Sequence, residues 1–292
     1  MAILIDKNTK VLVQGITGRS GALQTKVMKD YGTKIVAGVT PGKGGNTVEG
    51  ISVYDFVTEA VAEHSIDAAI SFVPPRFSKD ACFEIIQAGI KFLVITAEGI
   101  PDHDVIHILA YAQANGCTVL GPGTAGVISP GKCKLGAHPP RMYTQGSVGL
   151  VSKSGALSYE IGKMLTEAGI GQSTVLAIGG GPIWGLTQKE VIELFEQDPE
   201  TDIIVLVGEI GGTMEEEAAE FIAEHVTKPV VAMIVGRAAP KGKSLGHAGA
   251  IIQGNRGTAQ AKIEALSQAG AHIARTPQEI VELIKHIRGD NK

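Results

Sequence analysis

One imidazole in this chain sits where it could do chemistry. Ser244-Leu-Gly-His247-Ala-Gly-Ala250 holds His247 between glycine-containing turns, on backbone that can bend closely around a ligand. Neutral imidazole is a competent nucleophile at physiological pH. A lone histidine is more often structural, so the reading depends on its company. Ser152-Lys-Ser154-Gly155-Ala-Leu-Ser-Tyr159 falls between an apolar run and a helical segment. Ser154 suits the N-cap there, and the free amides at the helix start, from Gly155 onward, could hold a phosphate. Gly208-Glu209-Ile-Gly-Gly212 closes another apolar run. Ligands of open α/β sheets gather beyond the C-terminal strand ends, so His247, Glu209 and the 152–159 turn could converge. Glu209, alone a plain surface carboxylate, could then accept a hydrogen bond from one ring nitrogen. The other nitrogen would be left to attack phosphorus.

A second phosphate signal lies near the N-terminus. Gly15-Ile-Thr-Gly18-Arg-Ser-Gly21 follows the first apolar run. It is one residue off the dinucleotide fingerprint, and such a turn lets a phosphate approach free backbone amides. A tight turn without a ligand would look similar. The next run ends in Thr40-Pro-Gly-Lys43-Gly-Gly45, with no acidic residue to bind ribose hydroxyls. A cation on a glycine loop suits a phosphate-bearing nucleotide, and both CoA and NADP qualify. Gly236 to Ser244 imitates a P-loop, but its spacer is one residue too long and contains a proline. A Walker A site is not expected there.

Short β-branched runs that alternate with helix-period segments must position these groups. Strands are predicted at 10–17, 34–40, 67–74, 92–98 and 118–123. Helices are expected up to about 31 and near 56–64, 77–88 and 103–114. The stretch 121–146, dense in Gly and Pro, breaks the rhythm and reads as a domain junction. Strands at 147–152, 173–180, 202–210, 228–236 and 272–275 then alternate with helices near 155–168, 187–197, 214–226, 258–269 and 277–287. Continuously apolar strands fit parallel sheets buried on both faces. The expectation is α/β throughout: a doubly wound sheet, then a flavodoxin-like domain.

Composition narrows the function classes. The 292 residues are 44% hydrophobic and 4% aromatic, with formal net charge -4. That balance argues against nucleic-acid binding. Three cysteines, none in a C-x-x-C pair, indicate neither a disulfide framework nor a zinc site. No apolar run reaches the ~18 residues of a membrane span, and no cleavable leader is evident. A cytoplasmic protein with no metal centre, no nucleic-acid partner and no membrane contact is expected.

VQGITG, GVTPGKGG, SKSGALSYE, GEIGG, HVTKPVV and APKGKSLGHAGAI occur in this order. Together they resemble the α subunit of succinyl-CoA synthetase (succinate–CoA ligase, ADP- or GDP-forming). The resemblance implies a Rossmann-like CoA-binding domain over 1–125 and a flavodoxin-like ligase domain over 126–292. It places Thr17, Gly18, Arg19, Ser20 and Lys43 at the CoA phosphates, with Thr96, Ala97 and Glu98 lining that site. His247 would take a phosphoryl group from ATP or GTP, held with Mg2+ on a β subunit with an ATP-grasp domain. Glu209 matches the family's glutamate beside the histidine, and Tyr159 a substrate-site position. The phosphohistidine would activate a small carboxylic acid, by default succinate, for attack by CoA.

The chain departs from the family pattern in several loops. G-P-N-C/T-P-G becomes Gly121-Pro-Gly-Thr-Ala-Gly126, and G-G-D-P-I becomes Gly179-Gly-Gly181-Pro-Ile. I-T-E reads Thr96-Ala97-Glu98, S-R-S-G reads Ser152-Lys153-Ser154-Gly155, and L-G-I-x-P-G reads Leu135-Gly-Ala-His-Pro-Pro140. The junction is also similar to that of ATP-citrate lyase and citryl-CoA synthetase. Malate–CoA and citrate–CoA ligases, and a non-catalytic CoA-binding paralogue, are therefore the alternatives.

Overall fold

The computed structural model describes residues 3–237, 247–250 and 257–290. Most of the P-loop-like stretch, including Gly242, Lys243 and Ser244, lies outside the described residues.

The first half builds β1 (Lys10–Gln14), α1 (Arg19–Asp30), β2 (Lys34–Val39), β3 (Thr47–Val48), β4 (Ile51–Tyr54) and α2 (Val57–Glu63). It continues with β5 (Ala68–Ser71), α3 (Pro75–Gln87), β6 (Phe92–Ile95), α4 (Asp102–Ala114) and β7 (Thr118–Leu120). The strands form one sheet in the order β3-β4-β2-β1-β5-β6-β7. Its six main strands pair in parallel, and only β3 runs antiparallel, against β4. Leaving β3 aside, the order is that of a dinucleotide-binding fold, reversing direction between β1 and β5. The β3–β4 hairpin is not expected from the sequence, because its strands are only 2 and 4 residues long and, Val53 apart, exposed or half-buried.

The second half builds β8 (Gly126–Ser129), β9 (Cys133–Gly136), β10 (Gln145–Ser152), α5 (Gly155–Glu167), β11 (Gln172–Ala177) and α6 (Gln188–Gln197). Next come β12 (Ile203–Glu209), α7 (Met214–His225), β13 (Val230–Val235), α8 (Ala259–Gln268), β14 (His272–Ala274) and α9 (Pro277–Arg288). The sheet order is β14-β13-β12-β10-β11-β8-β9. Its five parallel strands follow the flavodoxin order, reversing between β10 and β12. The Gly/Pro-dense stretch is not merely a linker. It folds into the antiparallel hairpin β8–β9, which extends this sheet through β11.

Val11, Leu12 and Val13, and likewise Ile204, Val205 and Leu206, have no exposed surface. Helices cover both faces, so each strand buries successive side chains. Each such residue contributes roughly 1.5–3 kcal/mol by leaving water. The helix starts are written in the sequence: Ser154, Thr187, Thr258 and Thr276 each accept an amide of the first turn.

The two sheets share a hydrophobic cluster. Val13, Ile70 and Val94 of the first belong to the same buried group as Val127, Leu135 and Leu176 of the second. Backbone hydrogen bonds reinforce the join. Gly185 and Leu186 donate to the carbonyls of Gly121 and Val119. No described helix is long and apolar enough to cross a membrane.

Candidate active site

The reversal point of the second sheet separates the end of β10 from the end of β12, and the predicted residues sit on either side of it. Ser154 caps α5, its Oγ accepting the Leu157 amide at 3.3 Å. Glu209 ends β12 with 8% of its surface exposed. His247 Nδ1 lies 2.6 Å from Glu209 Oε2, so Nε2 is the ring nitrogen turned away from the carboxylate. The Glu209 contact raises the His247 pKa above its usual value. Burial and Lys153 oppose that rise, and Glu98 adds to it. Glu209 Oε1 is buried without a hydrogen-bond partner among the described residues. Gly180 has to be glycine beside the ring: a Cβ there would stand 2.5 Å from His247 Cγ.

A cavity of about 750 Å³ opens between the two halves, and His247 lines it. Ala97 and Glu98 reach it from the end of β6, and Ser154, Gly155 and Tyr159 from α5. Gly123 and Gly181, two of the positions where the chain departs from the family pattern, line it as well. The structure thus brings six of the predicted residues to one cavity, with Glu209 behind His247. Tyr159 is half-buried, its ring edge-on to His138 at 5.3 Å between centroids.

Thr17, Gly18, Arg19, Ser20 and Lys43 are elsewhere, beyond the ends of β1 and β2. Gly18 caps α1 without any side-chain cap, which leaves the first amides of that helix to a ligand. A Cβ on Gly21 would run into the Gly15 carbonyl, so the turn can only be this tight with glycine there. The Thr17 amide donates to Thr40 Oγ1 at 3.4 Å, bringing the two loops together. Asp55 Oδ1 accepts from the Lys43 and Gly44 amides, at 2.9 and 2.8 Å. Thr96 Oγ1 donates to Ser71 O at 2.8 Å. A phosphate-bearing ligand fits this donor set.

Sequence reasoning missed the charged groups beneath the site. Glu215, Lys262 and Lys153 are 0%, 0% and 2% exposed. Glu215 pairs with both lysines. A signal existed: positions 215, 218, 219 and 222 of α7 form one buried stripe, and only Glu215 breaks its apolar character. His103, Asp104 and His107 on α4 have metal-ligand spacing, although no metal centre was expected. Lys79 already pairs with Asp104 at 3.1 Å.

Residues 6–99 match the CoA binding domain model, and residues 151–272 the CoA-ligase model. The chain is 54% identical to the succinate–CoA ligase (ADP-forming) subunit alpha 1 of Archaeoglobus fulgidus, over 98% of each chain. The chain belongs to the acid–CoA ligase α-subunit family. It is a subunit of an acid–thiol ligase, and CoA is a substrate. It is also 48% identical, over 98% of each chain, to an ADP-forming sulfoacetate–CoA ligase subunit from an Acholeplasma species. Among solved structures, ATP citrate lyase of Methanothrix soehngenii, determined with citrate and coenzyme A, matches with TM-score 0.86 at 26% identity. That match covers 99% of this ligase subunit, which spans about half of the longer lyase chain (52%).

Proposed function

We propose that His247 is the phosphoryl carrier of this acid–CoA ligase subunit. The 2.6 Å approach of Nδ1 to Glu209 carries the reading. A carboxylate there fixes the ring and stabilises the positive charge that develops as Nε2 bonds to phosphorus. In the first transfer the Nε2 lone pair forms the N–P bond. The bond from phosphorus to the nucleoside diphosphate oxygen breaks, and the diphosphate leaves with the electron pair. We assign the nucleotide, ATP or GTP with Mg2+, to a β subunit with an ATP-grasp domain, in keeping with the α-subunit names of the relatives. In the second transfer a carboxylate oxygen of the acid takes the phosphoryl group, and Nε2 recovers its lone pair. The product is an acyl phosphate, and CoA supplies the thiol that displaces phosphate from it.

The Gly155 amide, at the start of α5 on the same cavity as His247, is suited to an equatorial oxygen of the transferred group, whereas the Ser154 amide donates to Ser152 Oγ at 3.0 Å. Thr17, Gly18, Arg19, Ser20 and Lys43 are our assignment for the CoA phosphates. Thr96, Ala97 and Glu98 would border the route to His247, and Tyr159 the acid. Residues 1–125 and 126–292 are the proposed domains, and the cytoplasm the proposed compartment.

Succinate is the acid we assign first, from the relative at 54% identity. A second reading rests on Gly123 and Gly181 lining one cavity, which leaves its wall bare of side chains at two positions. Malate, citrate and sulfoacetate therefore belong in the same assay. With its β subunit and ATP or GTP, the chain is expected to form succinyl-CoA with release of nucleoside diphosphate. A complex that binds CoA but makes no thioester from any of the four acids would refute the reading.

A further inference from the structure

The buried charges under the site take no part in the phosphoryl relay, yet they touch both walls of the site. Glu215 Oε1 accepts the backbone amide of Glu209 at 3.0 Å and lies 3.2 Å from Lys153 Nζ. Its Oε2 pairs with Lys262 Nζ. Lys262 in turn donates to the Gly211 carbonyl at 2.7 Å and lies 3.6 Å from Glu216 Oε2. The backbone on each side of the Glu209 side chain is therefore tied to one buried ion pair. Lys153 leads directly into the α5 helix start and sits 4.9 Å from the Trp184 ring centroid. Trp184 Nε1 donates to Gly179 O at 3.0 Å, next to the Gly180 on which the His247 ring packs. Gly208 makes room for the arrangement, since a Cβ there would stand 2.5 Å from Glu215 Cγ.

We propose that Glu215 is the positioning residue of the His247–Glu209 pair, holding the β12 end and the α5 start in register through one buried carboxylate. On this proposal the buried carboxylate serves to select one arrangement of its neighbours rather than to add net stability. Its loss displaces the Glu209 carboxylate from the ring and frees the Lys153 ammonium to face it. Glu209, Glu98 and Lys153 are the charged groups acting on His247. Both changes disfavour the imidazolium.

The inference rests on the phosphohistidine reading for its purpose but not for its test. The His247 ring is titrated by 15N-edited NMR in the full-length chain, as wild type, Glu215→Gln and Gly208→Ala. Glu215→Gln keeps the shape and removes the charge. Gly208→Ala keeps every charge and pushes the Glu215 side chain aside. Both variants are expected to lower the His247 titration midpoint by about one pH unit and to slow phosphorylation of the complex roughly tenfold to a hundredfold. Should Glu215→Gln fail to fold, Gly208→Ala gives the answer. A folded variant whose His247 titrates as in wild type would overturn the proposal. Absence of phosphorylation in the wild type would instead count against the carrier role of His247.

Discussion

At the scale of single residues, the site depends on where a proton resides. Glu209 raises the His247 pKa, while attack on phosphorus needs a neutral ring nitrogen. The rate should therefore climb as pH rises through the raised value. Glu209→Gln removes the charge and the ring's orienting partner. The ascending limb of the pH–rate profile is expected to move to lower pH, with a plateau roughly tenfold to a hundredfold lower. A profile that keeps its limb would detach Glu209 from the histidine. The sequence points to both residues because Glu209 stands at a glycine-flanked strand end and His247 between glycine-containing turns. It concealed Glu215, Lys153 and Lys262, because charged letters at helix starts and strand ends read as exposed. Only the stripe on α7 and the spacing of Ala259, Lys262 and Leu266 on α8 contradict that reading.

At the scale of elements, the β8–β9 hairpin is what the sequence obscured most. Gly and Pro usually punctuate loops, and here they shape a hairpin whose strands are wholly buried. His138 follows it, entirely buried between Gly126 O at 3.0 Å and the Tyr143 hydroxyl at 2.9 Å. Burial pushes its pKa down to about 3 from 6.5. The unfolded chain thus binds a proton that the folded chain refuses. The associated stability is complete above pH 6.5 and is lost as pH falls toward 3. Thermal melts should show Tm dropping across that window, with a shallower slope in His138→Gln. Equal slopes would mean that other groups dominate acid unfolding. Tyr159 packs against this histidine, so the hairpin also supports the cavity wall.

At the scale of the molecule, two doubly wound sheets meet so that the strand ends of both face one cavity. Alternation of strand and helix made both sheets legible, because parallel strands buried on two faces must be apolar along their whole length. Their mutual docking was not legible, since it rests on long-range backbone approach. Gly185 is an example: a Cβ there would collide with the Val119 carbonyl of the other sheet. Gly185→Ala is expected to cost about 1–3 kcal/mol in denaturant melts, and an unchanged midpoint would show that the join yields easily. The claim on which the rest turns is that His247 carries a phosphoryl group. Incubation of the α/β complex with γ-labelled nucleotide, followed by peptide mapping, tests it directly. An acid-labile, base-stable label on the peptide containing His247, absent in His247→Asn, is the predicted result. A label that persists in His247→Asn would contradict it.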